Sequence, residues 1–384
     1  MKRKKPDLYY VLSFIQALVV CIKALHAAVP PTVAVFSHAA HAEEITAALR
    51  RTGLFGEVKL LRNISHLQYH KIEKWYTGTA HWSRNYARYF KGLLRPILGP
   101  QLDLKRFRKV YLFVDSNAFP CWLRCERRKY HVLEDAVYWN WQYSAYNFWG
   151  NYYQRTRKQK LLFYWTEPIY KFGKSFYCKS VEVSDAAMLH IPRHKIRIWD
   201  SKVAIRNLPP EHKELLYSAF TAEIQLRLPE EEEAMLLLTQ PVSDFGVATL
   251  EGQIGVMREL METHGTGLHI VIKPHPRDRY DYKEEFKDNP RIDVLPAALP
   301  MEILEYGHEL HFKRAVTITS FAIDTLTCAE EKIKMGYEWG YAQKDKYPGE
   351  IIKADDFGDG WTYTKDSIRC GSHVFPISYY NTLE

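Results

Sequence analysis

Residues 268–278 read Leu-His-Ile-Val-Ile-Lys-Pro-His-Pro-Arg-Asp, and the fold class turns on this stretch. Leu268 to Ile272 is a short, almost wholly apolar run rich in β-branched residues, the pattern of a buried strand. Pro274 and Pro276 end it, and prolines after a strand set a stiff loop rather than a helix. The loop is expected to carry Lys273, His275, Arg277 and Asp278 outward from the strand's carboxyl end, where open α/β sheets bind ligands. A histidine between two prolines has little backbone freedom. That suits a group that must meet a phosphate or a leaving group in fixed geometry. The alternative is a solvated loop with charges placed by chance.

The same alternation of strand and helix extends both ways. Residues 8–13 predict a strand, 14–27 a helix, 32–37 a strand, 41–52 a helix and 57–61 a strand, and a βαβαβ order argues a parallel, doubly wound sheet. Further strands are expected at 110–114 and 131–133. In the second half, strands are expected at 234–238, 292–295 and 315–318, with helices at 250–264 and from Pro300, where Glu302 sits in the first turn. The acidic, proline-led stretch Pro229-Glu-Glu-Glu-Glu233 places a boundary there. The expected organisation is a Rossmann-like domain over 1–228 and a second over 229–384, with the last helix returning to the first domain. Two such halves facing a cleft describe an α/β protein of GT-B architecture. No Gly-x-Gly-x-x-Gly follows the first strand, so a dinucleotide fingerprint is absent.

With 46% hydrophobic and 26% charged residues in 384, the composition is that of an ordinary soluble globular protein of two-domain length. The net charge of +8 is concentrated at 105–109, 124–129 and 155–160. Such clusters favour anionic partners, although each taken alone also reads as solvated surface. No zinc-finger spacing, RNP-type strand or helix-turn-helix signal points to nucleic acid. Cys21, Cys121, Cys125, Cys178, Cys328 and Cys370 form no Cys-x-x-Cys pair, so reduced thiols and no metal site are expected. Met1-Lys-Arg-Lys-Lys5 followed by an apolar stretch resembles a signal peptide. Asp7, Ser13, Gln16, Lys23 and His26 interrupt that stretch, and a first strand feeding a first helix accounts for it better.

Glu134 and Asp135 follow the strand expected at 131–133. A carboxylate at a strand end can act as general base toward a sugar hydroxyl. Equally, Asp135 can cap a helix beginning at Ala136. The aromatic density over 138–165 fits core packing, or a surface on which sugar rings stack. Thr319 and Ser320 offer hydroxyls at a strand-to-helix turn, a seat for phosphate that is compatible with simple N-capping.

Together, Glu134-Asp135, Lys273-Pro-His275-Pro276, Glu302 and Thr319-Ser320 resemble bacterial GT-B sialyltransferases, most closely glycosyltransferase family 52, the lipooligosaccharide sialyltransferases and their polysialyltransferase relatives. Leu237-Leu238-Thr239-Gln240-Pro241 and the opening Leu8-Tyr-Tyr-Val-Leu-Ser are similar to that family as well. The likeness is specific over about 235–325 and weak through the first half. It implies that Glu134 is the general base, with Asp135 supporting or replacing it. His275 would bind the donor phosphate and act as general acid on departing CMP. Lys273 would lie near the cytosine, Glu302 would accept the ribose hydroxyls, and Thr319 and Ser320 would hold the phosphate, with Gln240 and Pro276 lining the donor site. Ala136 departs from the family's Gly after the acidic pair, which bears on how closely the sugar approaches.

The resemblance implies inverting transfer of sialic acid, or a related nonulosonic acid, from its CMP donor to a terminal sugar of a cell-surface glycan such as lipooligosaccharide. It implies no cofactor beyond the donor substrate and no metal. The expected setting is cytoplasmic, with a peripheral contact on the inner face of the plasma membrane. A different nucleotide sugar, a capsule polymer, or a non-catalytic CMP- or glycan-binding protein are the rival readings.

Overall fold

The computed structural model of the protein describes residues 4–36, 41–62, 95–114, 118–134, 173, 175–184, 186, 191–222, 233–243, 248–276, 278, 280–297, 299–304, 311–320, 322–336, 361–363, 367–370 and 373–376. The chain divides into two units, Met1–Ala219 and Phe220–Glu384.

The first unit is built on seven parallel strands: β1 (Leu8–Val11), β2 (Thr32–Phe36), β3 (Glu57–Leu61), β4 (Val110–Leu112), β5 (Tyr130–Leu133), β6 (Cys178–Val183) and β7 (Ile196–Ile198). They lie in the order β3-β2-β1-β4-β5-β6-β7, so the winding reverses between β1 and β4. That is the Rossmann order extended by one strand. Helix α1 (Phe14–Leu25) starts where Ser13 accepts the Gln16 amide, while the Gln16 side chain accepts the amide of Leu12. This reciprocal cap contributes about 1 kcal/mol and fixes the turn out of β1. Residues 8–25 are therefore strand and helix within this unit. Tyr10, Phe36, Val110, Leu112, Phe119, Trp122 and Val132 form its core on one face of the sheet.

The second unit repeats the plan. Strands β8 (Ala234–Leu238), β9 (His269–Lys273), β10 (Ile292–Val294), β11 (Phe312–Thr317) and β12 (Ala329–Lys334) are all parallel, in the order β10-β9-β8-β11-β12. The reversal falls between β8 and β11. Every residue of β8 is buried, and each leucine there is worth about 1.5–3 kcal/mol of burial. Helix α2 (Leu250–His264) is capped at Thr249, whose hydroxyl accepts the Gly252 amide. It ends at Gly265, where a Cβ would lie 2.7 Å from the Met261 carbonyl, so the tight turn into β9 requires glycine.

Both units are Rossmann-like and of the α/β class read from the sequence. Among the strands of the two parallel sheets, the inner strand β6 and the edge strands β7 and β12 were not foreseen, nor were the helices Ala118–Cys125, Ser201–Arg206 and Pro210–Thr221. The described C-terminal segments, Trp361–Tyr363, Ser367–Cys370 and His373–Pro376, pair as a small antiparallel sheet. The helix expected to return to the first domain lies outside the described residues, as do the aromatic stretch 138–165 and the basic cluster 155–160. No helix among the described residues is long and apolar enough to cross a membrane.

Candidate active site

In the second unit Leu238 is paired on one side with Lys273 and on the other with Thr317. Three strands thus finish on one rung at the point where the winding reverses. The segments leaving them carry Thr239-Gln240, Pro274-His275-Pro276 and Thr319-Ser320. Ligands of open parallel sheets bind at this place because adjacent connections part to opposite faces and leave a crevice.

The His275 loop is held from beneath. Its backbone amide donates to Thr239 Oγ1 at 3.1 Å, and that hydroxyl donates to Asp278 Oδ2 at 2.7 Å. The Asp278 amide closes the turn onto the His275 carbonyl at 2.8 Å. Asp278 also accepts from the Tyr282 hydroxyl at 2.8 Å and from Gln253 Nε2 at 3.2 Å. Gln253 Nε2 donates to the Tyr282 oxygen too, and its Oε1 accepts from the amide and hydroxyl of Ser243. Burial, and then the Asp278 carboxylate, push the Tyr282 hydroxyl's pKa up. A buried network whose members satisfy each other is rigid, so the half-buried His275 sits on a fixed base with exposed Pro276 beyond it.

This corrects the expectation for two residues. Asp278 points inward and is 9% exposed. Lys273 is also buried, and its Nζ donates to the carbonyls of Pro274 at 2.7 Å and Ala297 at 2.9 Å. Burial pushes its pKa down to about 7, with Glu302 and Asp278 opposing the fall. Lys273 therefore ties the His275 loop to the segment after β10, rather than projecting toward a base. An alternating strand turns its last side chain inward as readily as outward, and two nearby carbonyls receive the ammonium. Glu302 is half-buried in the short helix Met301–Leu304, and its field acts on Lys273.

Thr317 Oγ1 donates to the Leu238 carbonyl and accepts the Ser320 amide at 3.1 Å, while Ser320 Oγ accepts the amide of Ala322 at 3.4 Å. The helix that follows, Ala322–Thr325, is a single turn with little dipole. Ser320 thus caps a turn whose amides at 320 and 322 already have partners. Gln240 is half-buried, and its carbonyl accepts the amide of Val242.

Glu134 belongs to the first unit and leaves the carboxyl end of β5. Both of its oxygens accept from Ser184, Oε2 from the amide at 2.8 Å and Oε1 from the hydroxyl at 2.7 Å. These two bonds set the carboxylate's orientation, and each oxygen has lone pairs for more than one donor. Asp135 and Ala136 lie outside the described residues.

Thr239, Gln253, Tyr282 and Ser184 are the polar residues that reasoning from sequence missed as site components. Thr239 and Asp278 were in view, inside quoted stretches, but nothing local pairs a strand-end threonine with an aspartate so far along the chain. Gln253 in the first turn of α2 carried no signal at all.

Fold and site define a two-domain Rossmann-like protein whose candidate ligand crevice sits at the switch point of the second sheet. A family model of glycosyltransferase family 52 matches residues 80–335, well over half of the chain, and the protein belongs to that family. An uncharacterised protein of Haemophilus influenzae is 29% identical over 180 residues, 46% of this chain and 55% of that one, so the match spans about half the length of this curated relative. Among solved structures, the chain is similar to an α/β-galactoside α-2,3-sialyltransferase of Photobacterium phosphoreum, with a TM-score of 0.48 and 13% identity over 86% of this chain and 91% of that one. It is similar to the same degree to a UDP-GlcNAc 2-epimerase of Methanocaldococcus jannaschii, with a TM-score of 0.48 and 10% identity over 90% and 92%.

Proposed function

We propose that the protein is an inverting sialyltransferase, moving sialic acid or a related nonulosonic acid from its CMP donor to a terminal sugar of a cell-surface glycan. Membership in glycosyltransferase family 52 supports group transfer from an activated sugar. The observation that carries the reading is His275, its amide anchored on Thr239 at the switch point beside the Thr319-Ser320 turn.

In this reading the donor lies over the carboxyl ends of β8, β9 and β11, against Gln240, Pro276, Thr319 and Ser320, with its ribose hydroxyls on Glu302. Attack at the anomeric carbon breaks the bond to CMP and leaves negative charge on its phosphate. His275 protonates or hydrogen-bonds that oxygen, and the Thr319 and Ser320 hydroxyls meet the same charge, so no divalent cation is required. Lys273 acts from below by holding the loop. Glu134 takes the proton from the acceptor hydroxyl, oriented by Ser184, with Asp135 beside it in sequence. Attack from the face opposite the leaving group inverts the anomeric centre in a single displacement. The setting proposed is the cytoplasm, with peripheral contact at the membrane's inner face.

Release of CMP from CMP-N-acetylneuraminic acid, with and without a lactose-type acceptor and beside UDP-sugar controls, tests this reading. Acceptor-stimulated release from the CMP donor alone is the expected result. Turnover of a UDP-sugar instead, or binding of CMP without turnover, would replace it with one of the rival readings.

A further inference from the structure

The inner strands of a doubly wound parallel sheet are normally apolar on both faces, because both are covered. Strands β4, β5 and β6 of the first unit break this rule on one face. Tyr111, His131 and Ser180 stand on one rung of it, Tyr111 paired with His131 and His131 with Ser180. The rings of Tyr111 and His131 stack with centroids 5.0 Å apart, and His131 Nδ1 lies 2.7 Å from the hydroxyl of Ser180, a buried residue at 7% exposure. The register slips at Tyr130/His131, an irregularity of the kind that re-aims side chains and gathers near functional sites.

These residues form the floor of a cavity of about 530 Å³, rimmed by the exposed cations Lys109, Lys179 and Arg197. No carboxylate among the described residues pairs with any of the three. Arg197 only donates to the carbonyls of His194 and Ile196. The one acid among the described residues lining the cavity, Glu182, is already engaged by Lys23 at 2.5 Å. Positive charge is concentrated here. The ammonium of Lys129 lowers the pKa of Lys179, and Lys109 and Arg197 add to the effect of burial in lowering that of His131. Surface lysines normally spread out or pair with acids, so three unpaired cations over a hydrogen-bonding floor mark a place built for an anion.

We propose that this cavity is a second ligand site, binding a phosphate monoester through Lys109, Lys179 and Arg197 with the His131–Ser180 pair at its floor. A dianion matches the uncompensated charge better than a carboxylate, which would leave most of it unneutralised. The volume suits a group of sugar-phosphate or phosphoglycerol size. The phosphate can be carried by a soluble small molecule or by a lipid headgroup, and the same donors would recognise either. The described residues that line the site all belong to the first unit, and the proposal does not depend on the assignment of the donor crevice.

Calorimetric titration of the full chain with glycerol phosphate at low ionic strength tests the site, with flotation on vesicles containing or lacking phosphatidic acid as a second arm. The wild type should bind glycerol phosphate saturably. The Lys179→Gln/Arg197→Gln variant, altered only at exposed side chains, should bind roughly tenfold or more weakly, since charge-assisted bonds are lost. His275→Ala should leave this binding unchanged, which separates it from any phosphate held in the donor crevice. Flotation only with phosphatidic acid, lost in the same double variant, identifies the lipid as the source, and its absence beside intact titration identifies a soluble ligand. Absence of saturable binding, equal binding by the double variant, or loss in His275→Ala alone would each overturn the proposal.

Discussion

Thr239 and Asp278, from the segments that follow neighbouring strands, share a buried 2.7 Å hydrogen bond, and the hydroxyl that makes it also accepts the amide of His275. The position of the proposed leaving-group residue is thus set by a contact between two other side chains. Thr239→Val keeps the shape, removes the donor to Asp278 and takes the Thr239 acceptor from the His275 amide. It should cost about 1–3 kcal/mol in denaturant unfolding and lower kcat more than it raises KM, while Thr239→Ser restores both. Equal activity in the valine and serine variants would show that the loop needs no such anchor.

Tyr282 and Gln253 complete that anchor, so Tyr282→Phe removes one donor to Asp278 and one acceptor for Gln253. The expected loss is about 1–2 kcal/mol of stability. Combined with Thr239→Val, the effects should be non-additive, because both bonds end on one carboxylate oxygen. Strict additivity in a double-mutant cycle would contradict the network.

Lys273 gives a pH signature. Burial lowers its pKa from 10.5 to about 7, so between these values the unfolded chain holds a proton that the folded chain lacks. Its contribution to stability therefore rises with pH across that window and is lowest below it. Subtracting the unfolding free energy of Lys273→Met from that of the wild type should give a difference growing by up to about 1.4 kcal/mol per pH unit from neutral toward alkaline pH. A flat difference would mean that the ammonium carries no desolvation cost.

Glu134 and Ser184 separate chemistry from orientation. Glu134→Gln should reduce turnover by roughly 10²–10⁴-fold if Glu134 is the base. Ser184→Ala should give a smaller loss, through a carboxylate no longer held at both oxygens. Asp135→Asn should differ from Glu134→Gln. Matching mild losses in a steady-state assay would remove the base from this pair.

The alternating plan was legible because its signals are local. The strands Glu57–Leu61 and Ala234–Leu238 and the helix Leu250–His264 appear with the bounds their apolar runs and caps suggest. Strand β6, Cys-Lys-Ser-Val-Glu-Val, escaped notice because an inner parallel strand is expected to be apolar. Its Ser180 and Glu182 are polar because they line a cavity. Edge strand β12, Ala-Glu-Glu-Lys-Ile-Lys, carries the charges of an exposed edge, which hide it from a hydrophobic reading. The place of His275 could be read from two prolines and a strand end. The inward turn of Lys273 and Asp278 could not, since their partners Ala297, Thr239, Gln253 and Tyr282 come together only in the folded unit.

The most direct test of the account is acceptor-stimulated CMP release by His275→Ala beside the wild type, at saturating donor and with thermal unfolding recorded for both. The account predicts a kcat lower by roughly 10²–10⁴-fold with unfolding little changed, because the substitution keeps the backbone amide that bonds Thr239 and leaves the Thr239–Asp278 bond in place. Wild-type turnover in the alanine variant would contradict the leaving-group role and, with it, the assignment of the switch-point crevice as the donor site.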